Sequence, residues 1–270
     1  MVEESKVTAV MTFSGTDPSG GAGVQADIET LVSMGCHATP VITAVTVQDT
    51  VNILRYEPLR AGLVIEQARA VLEDIPVSAV KIGMLGSVDI VEAIHTLLSD
   101  YPELPVVLDP VVAAGGGGML ADDDILDAMV ELLFPQSTII TPNSQEARAF
   151  APEADSLDAC AQELLEHGCE YVLITGTHEN TPSVINTLYT ERQVVENYRW
   201  ERLPASYHGS GCTLAVAIAG LLSQGLDPLT AVREAQEYTW EALKQGYRVG
   251  MGQSIPNRLF WALGSEEQQE

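Results

Sequence analysis

Lysine is almost missing from this chain. Only Lys6, Lys81 and Lys244 occur in 270 residues, and 13 basic residues in all face 38 acidic ones, a formal net charge of −25. Nucleic-acid binding rests on cationic contacts to phosphate, so this balance excludes it as a main activity. It opposes adsorption to anionic membranes as well. Aromatic residues are scarce, at 6%. No apolar run is long enough to cross a bilayer, and Met-Val-Glu-Glu-Ser at the start lacks the basic, then apolar layout of a signal peptide. A cytoplasmic location is the expectation. Cys36, Cys160, Cys169 and Cys212 show no C-x-x-C spacing and no neighbouring His cluster, which excludes a zinc ribbon or a disulfide framework. The acid is spread along the chain instead of forming a tail. A dispersed acidic, lysine-poor surface suits a protein working in concentrated salt, where self-repulsion is screened over a few ångströms.

What the chain does have is regular alternation. Val7 to Ser14 is a short apolar run. It enters a glycine loop, Gly15 to Gly23, and a helical pattern follows from Val24 to Met34. Strands are expected at Pro40 to Gln48, Val77 to Ile82, Pro105 to Leu108, Ser137 to Thr141 and Tyr171 to Thr175, and in β-rich pieces near 184 to 190 and 193 to 200. Helices are expected over 62 to 74, 88 to 99, from Asp122 to Asp124 onward, 156 to 167, Thr213 to Leu222, 228 to 244 and 256 to 263. A second glycine loop spans Gly115 to Gly118. Such alternation predicts one α/β domain over 1–270, with a mostly parallel sheet covered on both faces and 263–270 as an acidic tail. Ligands of such sheets bind beyond the carboxyl ends of the strands. Gly15 to Asp17, Gly83-Met84, Asp109, Asn143 and Thr175 all fall at those ends.

The most informative stretch is Ala205 to Val216, Ala-Ser-Tyr-His-Gly-Ser-Gly-Cys-Thr-Leu-Ala-Val. Gly209, Ser210 and Gly211 run into an Ala-rich helix, leaving backbone N–H groups unpaired at the positive end of its dipole, a place for phosphate or a developing anion. A cysteine there, Cys212, has its thiolate favoured and its pKa lowered. Gly15 to Gly23 is neither a P-loop nor a dinucleotide fingerprint, and signals only a close backbone approach. Thr141-Pro-Asn-Ser-Gln-Glu146 places an amide and a carboxylate three apart. It reads either as a capping box or as a pair organising Mg²⁺ around nucleotide phosphates.

Six motifs occur in order: Ser14 to Asp27, Val41 to Thr50, Val80 to Leu85, Val106 to Val111, Ile140 to Asn143 with Glu146, and His208 to Thr213. Together they resemble the hydroxymethylpyrimidine/phosphomethylpyrimidine kinases of thiamine biosynthesis. The resemblance implies a ribokinase-like three-layer α/β/α sandwich, a homodimer, and ATP with Mg²⁺ as co-substrate. It implies that Gly15, Asp27, Gln48, Met84 and Val111 line the pyrimidine pocket, and that Gly209, Ser210 and Gly211 form the anion hole. By the same resemblance Cys212 is the base, Thr175, Gly176 and Asn143 serve ATP, and Asp109 and Glu146 serve the metal.

The sequence departs from the family pattern twice. Thr175 stands where Lys-Gly-Gly-His usually begins, and Ala114-Gly115-Gly116 stands for Lys-Ser-Gly. Both changes remove positive charge from phosphate-facing places, leaving K⁺ or Mg²⁺ to supply it. Pyridoxal kinase of the same fold and a non-catalytic pyrimidine-binding sensor are the alternatives. Trp200, Trp240 and Trp261 look like scattered packing residues, and His37, His95 and His167 like surface or cap residues.

Overall fold

The computed structural model describes residues 7–112, 120–191 and 193–263. Its main sheet has eight strands: β1 (Ala9–Ser14), β2 (His37–Ile42), β5 (Val77–Ile82), β6 (Val106–Leu108), β7 (Ile139–Ile140), β8 (Tyr171–Ile174), β9 (Ser183–Thr190) and β10 (Gln193–Glu201). The spatial order is β10-β9-β8-β7-β6-β5-β1-β2, parallel from β2 through β8 and antiparallel at β8–β9 and β9–β10. Two strands stand apart as an antiparallel hairpin, β3 (Ala44–Gln48) and β4 (Ile53–Pro58).

Alternate residues of the central strands supply two cores. Phe13, Val80, Ile82, Val106, Leu108 and Ile140 face one side, under α2 (Ala61–Leu72), α3 (Val88–Leu98) and α6 (Leu157–Glu166). Val10, Ala79, Val107, Ile139 and Leu173 face the other, under α1 (Gly23–Ser33), α7 (Ser210–Ser223) and α8 (Pro228–Lys244). The period of two in strand side chains makes this division. Short helices α4 (Asp123–Ala128) and α5 (Ser144–Phe150) complete the layers. Every residue of α7 from Thr213 to Ser223 is buried, the expected fate of a helix that is apolar all round. Its alanines let it lie close against β5 and β1.

The strand expected over Pro40 to Gln48 is two strands. The chain leaves the main sheet at Thr43, whose Oγ donates to the Met84 carbonyl at 2.5 Å, and β3 then pairs with β4 instead. The run of β-branched residues has no glycine or proline to mark that break. The helix expected over 256 to 263 is only a 3₁₀ turn at Phe260–Leu263. The loop at Gly115 to Gly118, the Ala114-Gly115-Gly116 departure and the acidic tail from 264 lie outside the described residues. No helix among the described residues is long and apolar enough to cross a membrane.

Candidate active site

The carboxyl ends of β1, β5, β6, β7 and β8 open into a cleft of about 490 Å³. One wall is the loop after β1. Asp17 organises that loop, accepting hydrogen bonds from the N–H groups of Ser19, Gly21 and Ala22 and from the Ser19 hydroxyl. His208 Nε2 lies 2.9 Å from the same carboxylate, joining this loop to the segment before α7. Burial alone would raise the Asp17 pKa, but the bonds from His208 and Ser19 win and pull it down to about 2.

The opposite wall is the start of α7. Gly209 caps the helix in a left-handed conformation, φ 81°, with no side chain bonded to the first turn. The first intrahelical bond is Thr213 N–H to the Gly209 carbonyl, so the N–H groups of Ser210, Gly211 and Cys212 have no helical partner. Asp109, at the end of β6, faces them: a Cβ built on Gly211 would lie 3.7 Å from its Oδ1. Arg258, fully buried near the end of the chain, fastens the two walls. Its Nη2 donates to the Gly21 carbonyl at 2.5 Å and its Nε to Thr213 Oγ at 3.0 Å, while Glu29 accepts from Nη1.

Asn143 and Glu146 form a capping box at α5. The Asn143 side chain accepts from the Gln145 and Glu146 N–H groups, and Glu146 Oε2 accepts from Asn143 N–H at 2.8 Å. Both residues also line the cleft, so the capping role leaves them at the site. Burial and the facing Asp109 charge push Glu146 up to about 8. Asp109 itself is raised to about 6, by burial first, with Lys81 opposing and Asp27 adding to the rise. Among the described residues no cluster of three or more His, Cys, Asp or Glu is disposed to hold a metal alone. Two buried, mutually repelling carboxylates fit Mg²⁺, which takes one or two carboxylates and completes its shell with phosphate oxygens and water.

A stability consequence follows. A carboxyl whose folded pKa exceeds its unfolded value binds extra protons in the native state, so its stabilising effect is lost as pH rises from about 4.5 through 8. Over that window the metal-free protein is expected to lose on the order of 2–4 kcal/mol through Glu146. Glu146→Gln keeps an acceptor for the Asn143 N–H and removes the charge. Its melting temperature is therefore expected to exceed that of the parent at pH 8 and to equal it near pH 4.5. Parallel melting curves at both ends of the window would overturn the assignment.

A second hollow, about 160 Å³, adjoins the cleft. It is lined by Val184, Leu203, Leu214, Leu243 and the pair Trp200 and Trp240, whose rings stack with centroids 6.2 Å apart. Gln236 Oε1 accepts from both Trp200 Nε1 and Asn186 Nδ2 and fixes this wall. Trp200 and Trp240, scattered in sequence, are thus partners in space, while Trp261 hydrogen-bonds to Ser33 elsewhere. Thr175, Tyr207, Ser210 and Gly211 line both spaces, so the two meet at the unpaired N–H groups of α7.

Most of the expected residues converge here: Gly15, Gln48, Met84, Asp109, Val111, Asn143, Glu146, Thr175 and Gly209 to Cys212 all line the cleft. Two do not reach it. Asp27 is fully buried beneath the floor, ion-paired with Lys81 at 3.1 Å. Gly176 N–H is taken by Asn186 Oδ1, and a Cβ there would meet the Ile185 carbonyl at 2.2 Å, so that glycine answers to strand packing. Cys212 is also corrected. Its thiol is pushed up to about 12, by burial first and by the Asp109 and Asp27 charges, with Lys81 opposing; the helix terminus does not prevail. Sequence reasoning missed Lys81, Arg258 and the Asp17–His208 contact, whose partners lie far apart along the chain.

One space for a polar ring and one for an aromatic-stacking group, meeting at an anion-accepting helix start, is the arrangement that in-line phosphoryl transfer needs. Fold and site together define a small-molecule kinase. Residues 17–257 match the family described as phosphomethylpyrimidine kinase. A hydroxymethylpyrimidine/phosphomethylpyrimidine kinase of Streptomyces coelicolor is 36% identical over 94% of this chain and 95% of its own length. A bifunctional thiamine-biosynthesis protein of Geobacter sulfurreducens is 35% identical, and this chain spans only 53% of it. Among solved structures, phosphomethylpyrimidine kinase of Clostridium difficile superposes with TM-score 0.76 at 33% identity, covering 87% of this chain and 99% of that one. Pyridoxal kinase of Bacillus subtilis gives TM-score 0.87 at 27% identity, over 96% and 100%. The chain belongs to the phosphomethylpyrimidine kinase family.

Proposed function

We propose that this chain, as one kinase domain, transfers the γ-phosphoryl group of ATP to the hydroxymethyl group of 4-amino-5-hydroxymethyl-2-methylpyrimidine. It then phosphorylates the monophosphate to the diphosphate, for thiamine biosynthesis. The observation that carries this is the junction of cleft and hollow at Ser210 to Cys212, in a chain of this family. Gln48 supports the choice of ring: its Oε1 is buried in the cleft without a hydrogen-bond partner. An unpaired amide oxygen is costly unless a ligand satisfies it, and an exocyclic amino group is the matching donor. Met84 and Val111 flank the ring, and Gly15 gives backbone access. The nucleobase stacks in the tryptophan hollow, with Thr175 and Asn143 toward the phosphates. Asp109 and Glu146 would hold Mg²⁺, which would supply charge neutralisation on the phosphates.

Thr175 brings no cation, so Mg²⁺ and K⁺ carry more of the charge, and the second phosphorylation depends on them most. We also propose a homodimer. Val45, Val47 and Leu54 on the β3–β4 hairpin are exposed by 47%, 46% and 72%, with Glu57 and Arg55 opposite the two valines, a surface of apolar and charged side chains on the edge of the site.

The test is ADP release from Mg-ATP in molar KCl with the pyrimidine, its monophosphate and pyridoxal in parallel. Turnover on both pyrimidines is expected. Turnover on pyridoxal alone would move this chain to the activity of its structural neighbour. Silence on all three, with the pyrimidine still raising the melting temperature, would make it a binding protein.

A further inference from the structure

Of the three lysines, Lys244 lies on the surface beside Trp240, while Lys81 is wholly buried at the end of β5. Burying an ammonium is expensive unless its surroundings repay the lost hydration, so this lysine needs specific partners. Lys81 alternates with Val80 and Ile82 and therefore faces α1 and α7, directly under the anion hole. Its Nζ donates to Ser14 Oγ at 3.1 Å and to Asp27 Oδ2 at 3.3 Å, and Ser14 Oγ donates in turn to Asp27 at 2.5 Å. An ammonium has three N–H donors and these two acceptors occupy two, although the other Asp27 oxygen also lies at 3.1 Å. Lys81 also lines the cleft, which Asp27 does not. Gly83 leaves room for it, since a Cβ there would stand 2.6 Å from Nζ.

The groups around it come from four elements: Ser14 of β1, Asp27 of α1, Asp109 after β6 and Cys212 of α7. Three of the four can carry negative charge, and Lys81 is the cation among them. Burial would lower its pKa, but the charges of Asp27, Cys212 and Asp109 raise it instead, so it stays protonated.

We propose that Lys81 is a charge-positioning residue of the transfer reaction: clamped by Asp27 and Ser14, its ammonium is the fixed positive charge beneath the start of α7 that offsets the negative charge gathering there as the phosphoryl group passes. This rests on the kinase reading above. As the substrate oxygen bonds to the γ-phosphorus, the bond from that phosphorus to the bridging oxygen of the departing ADP breaks. The hydroxyl proton passes to the Cys212 sulfur while the thiol gives its own to an oxygen of the transferred phosphoryl group. Lys81 keeps its charge throughout without itself giving up a proton.

The experiment separates charge from packing. Lys81→Met alone leaves Asp27 buried and unpaired, and is expected to melt well below the parent. The double variant Lys81→Met/Asp27→Leu replaces the whole pair with apolar side chains, which buried pairs commonly tolerate. It is expected to regain the parent's melting temperature and to bind the pyrimidine within about threefold of the parent, while kcat stays at least about 100-fold lower. Asp27→Asn, which keeps the ammonium, is expected to hold kcat within about tenfold. A double variant turning over within about fivefold of the parent would reduce the pair to packing. An Asp27→Asn variant as slow as the double would shift the role to Asp27. Both results overturn the proposal while the kinase reading stands; a parent silent on pyrimidine would remove that reading beneath it.

Discussion

Gly209→Ala is expected to cost about 3 kcal/mol or more of stability and to lower kcat on the order of 10²–10³-fold. Two effects add. The residue sits at φ 81°, where an L side chain is strained, and its Cβ would fall 1.9 Å from the Gly21 carbonyl oxygen and 2.9 Å from Arg258 Nη2. Gly21 cannot yield cheaply, because its N–H is held by Asp17 and its carbonyl by Arg258. The clash is therefore relieved by moving the start of α7, which displaces the N–H groups of Ser210, Gly211 and Cys212. Gly20→Ala is the control. It has a similar φ of 78° but open space around the built Cβ, so it carries only the backbone strain, about 1 kcal/mol, and leaves turnover nearly intact. Thermal melts and ADP release on both variants check the claim. Equal losses would mean that strain alone, and not the interlock of the two loops, governs the site.

That interlock also marks the limit of what the sequence discloses. The strand and helix order was legible because buried parallel strands are continuous apolar runs and their helices keep a 3.6 period. The two glycine loops were legible because glycine is the visible trace of a close backbone approach. The hairpin was not. Val41 to Gln48 is unbroken in chemistry, and the turn out of the sheet at Thr43 is decided by its contacts with Met84 and Ser14. Nor was the packing under the site. Lys81 and Asp27 are 54 residues apart, and Arg258 reaches Gly21 across 237, separations that no local spacing rule encodes. The Cys212 thiol shows the same divide in energetic form. A helix start lowers a thiol pKa locally, but desolvation and two facing carboxylates are tertiary facts, and here they are larger. Glu146 shows the reverse case, since the local capping box and the site residue are the same side chain.

The raised thiol changes what Cys212 is expected to do. At about 12 it is almost entirely S–H near neutral pH, so Cys212 is not a standing thiolate base. The charge of Asp109 beside it adds to that rise. A relay then moves the proton: the substrate hydroxyl gives its proton to the sulfur as the thiol passes its own to an oxygen of the transferred phosphoryl group. Cys212→Ala breaks the relay and is expected to lower kcat about 10²–10⁴-fold with pyrimidine binding unchanged. Cys212→Ser replaces the thiol with a hydroxyl that both donates and accepts, and is expected to stay within about tenfold of the parent. A thiolate base predicts otherwise, because serine would then be as slow as alanine. The pH profile gives the same discrimination. A relay through the protonated thiol requires kcat to be level from neutral pH upward until the thiol itself titrates, at about 12. A rate that keeps climbing toward pH 9 and beyond would instead assign the base to the sulfur itself.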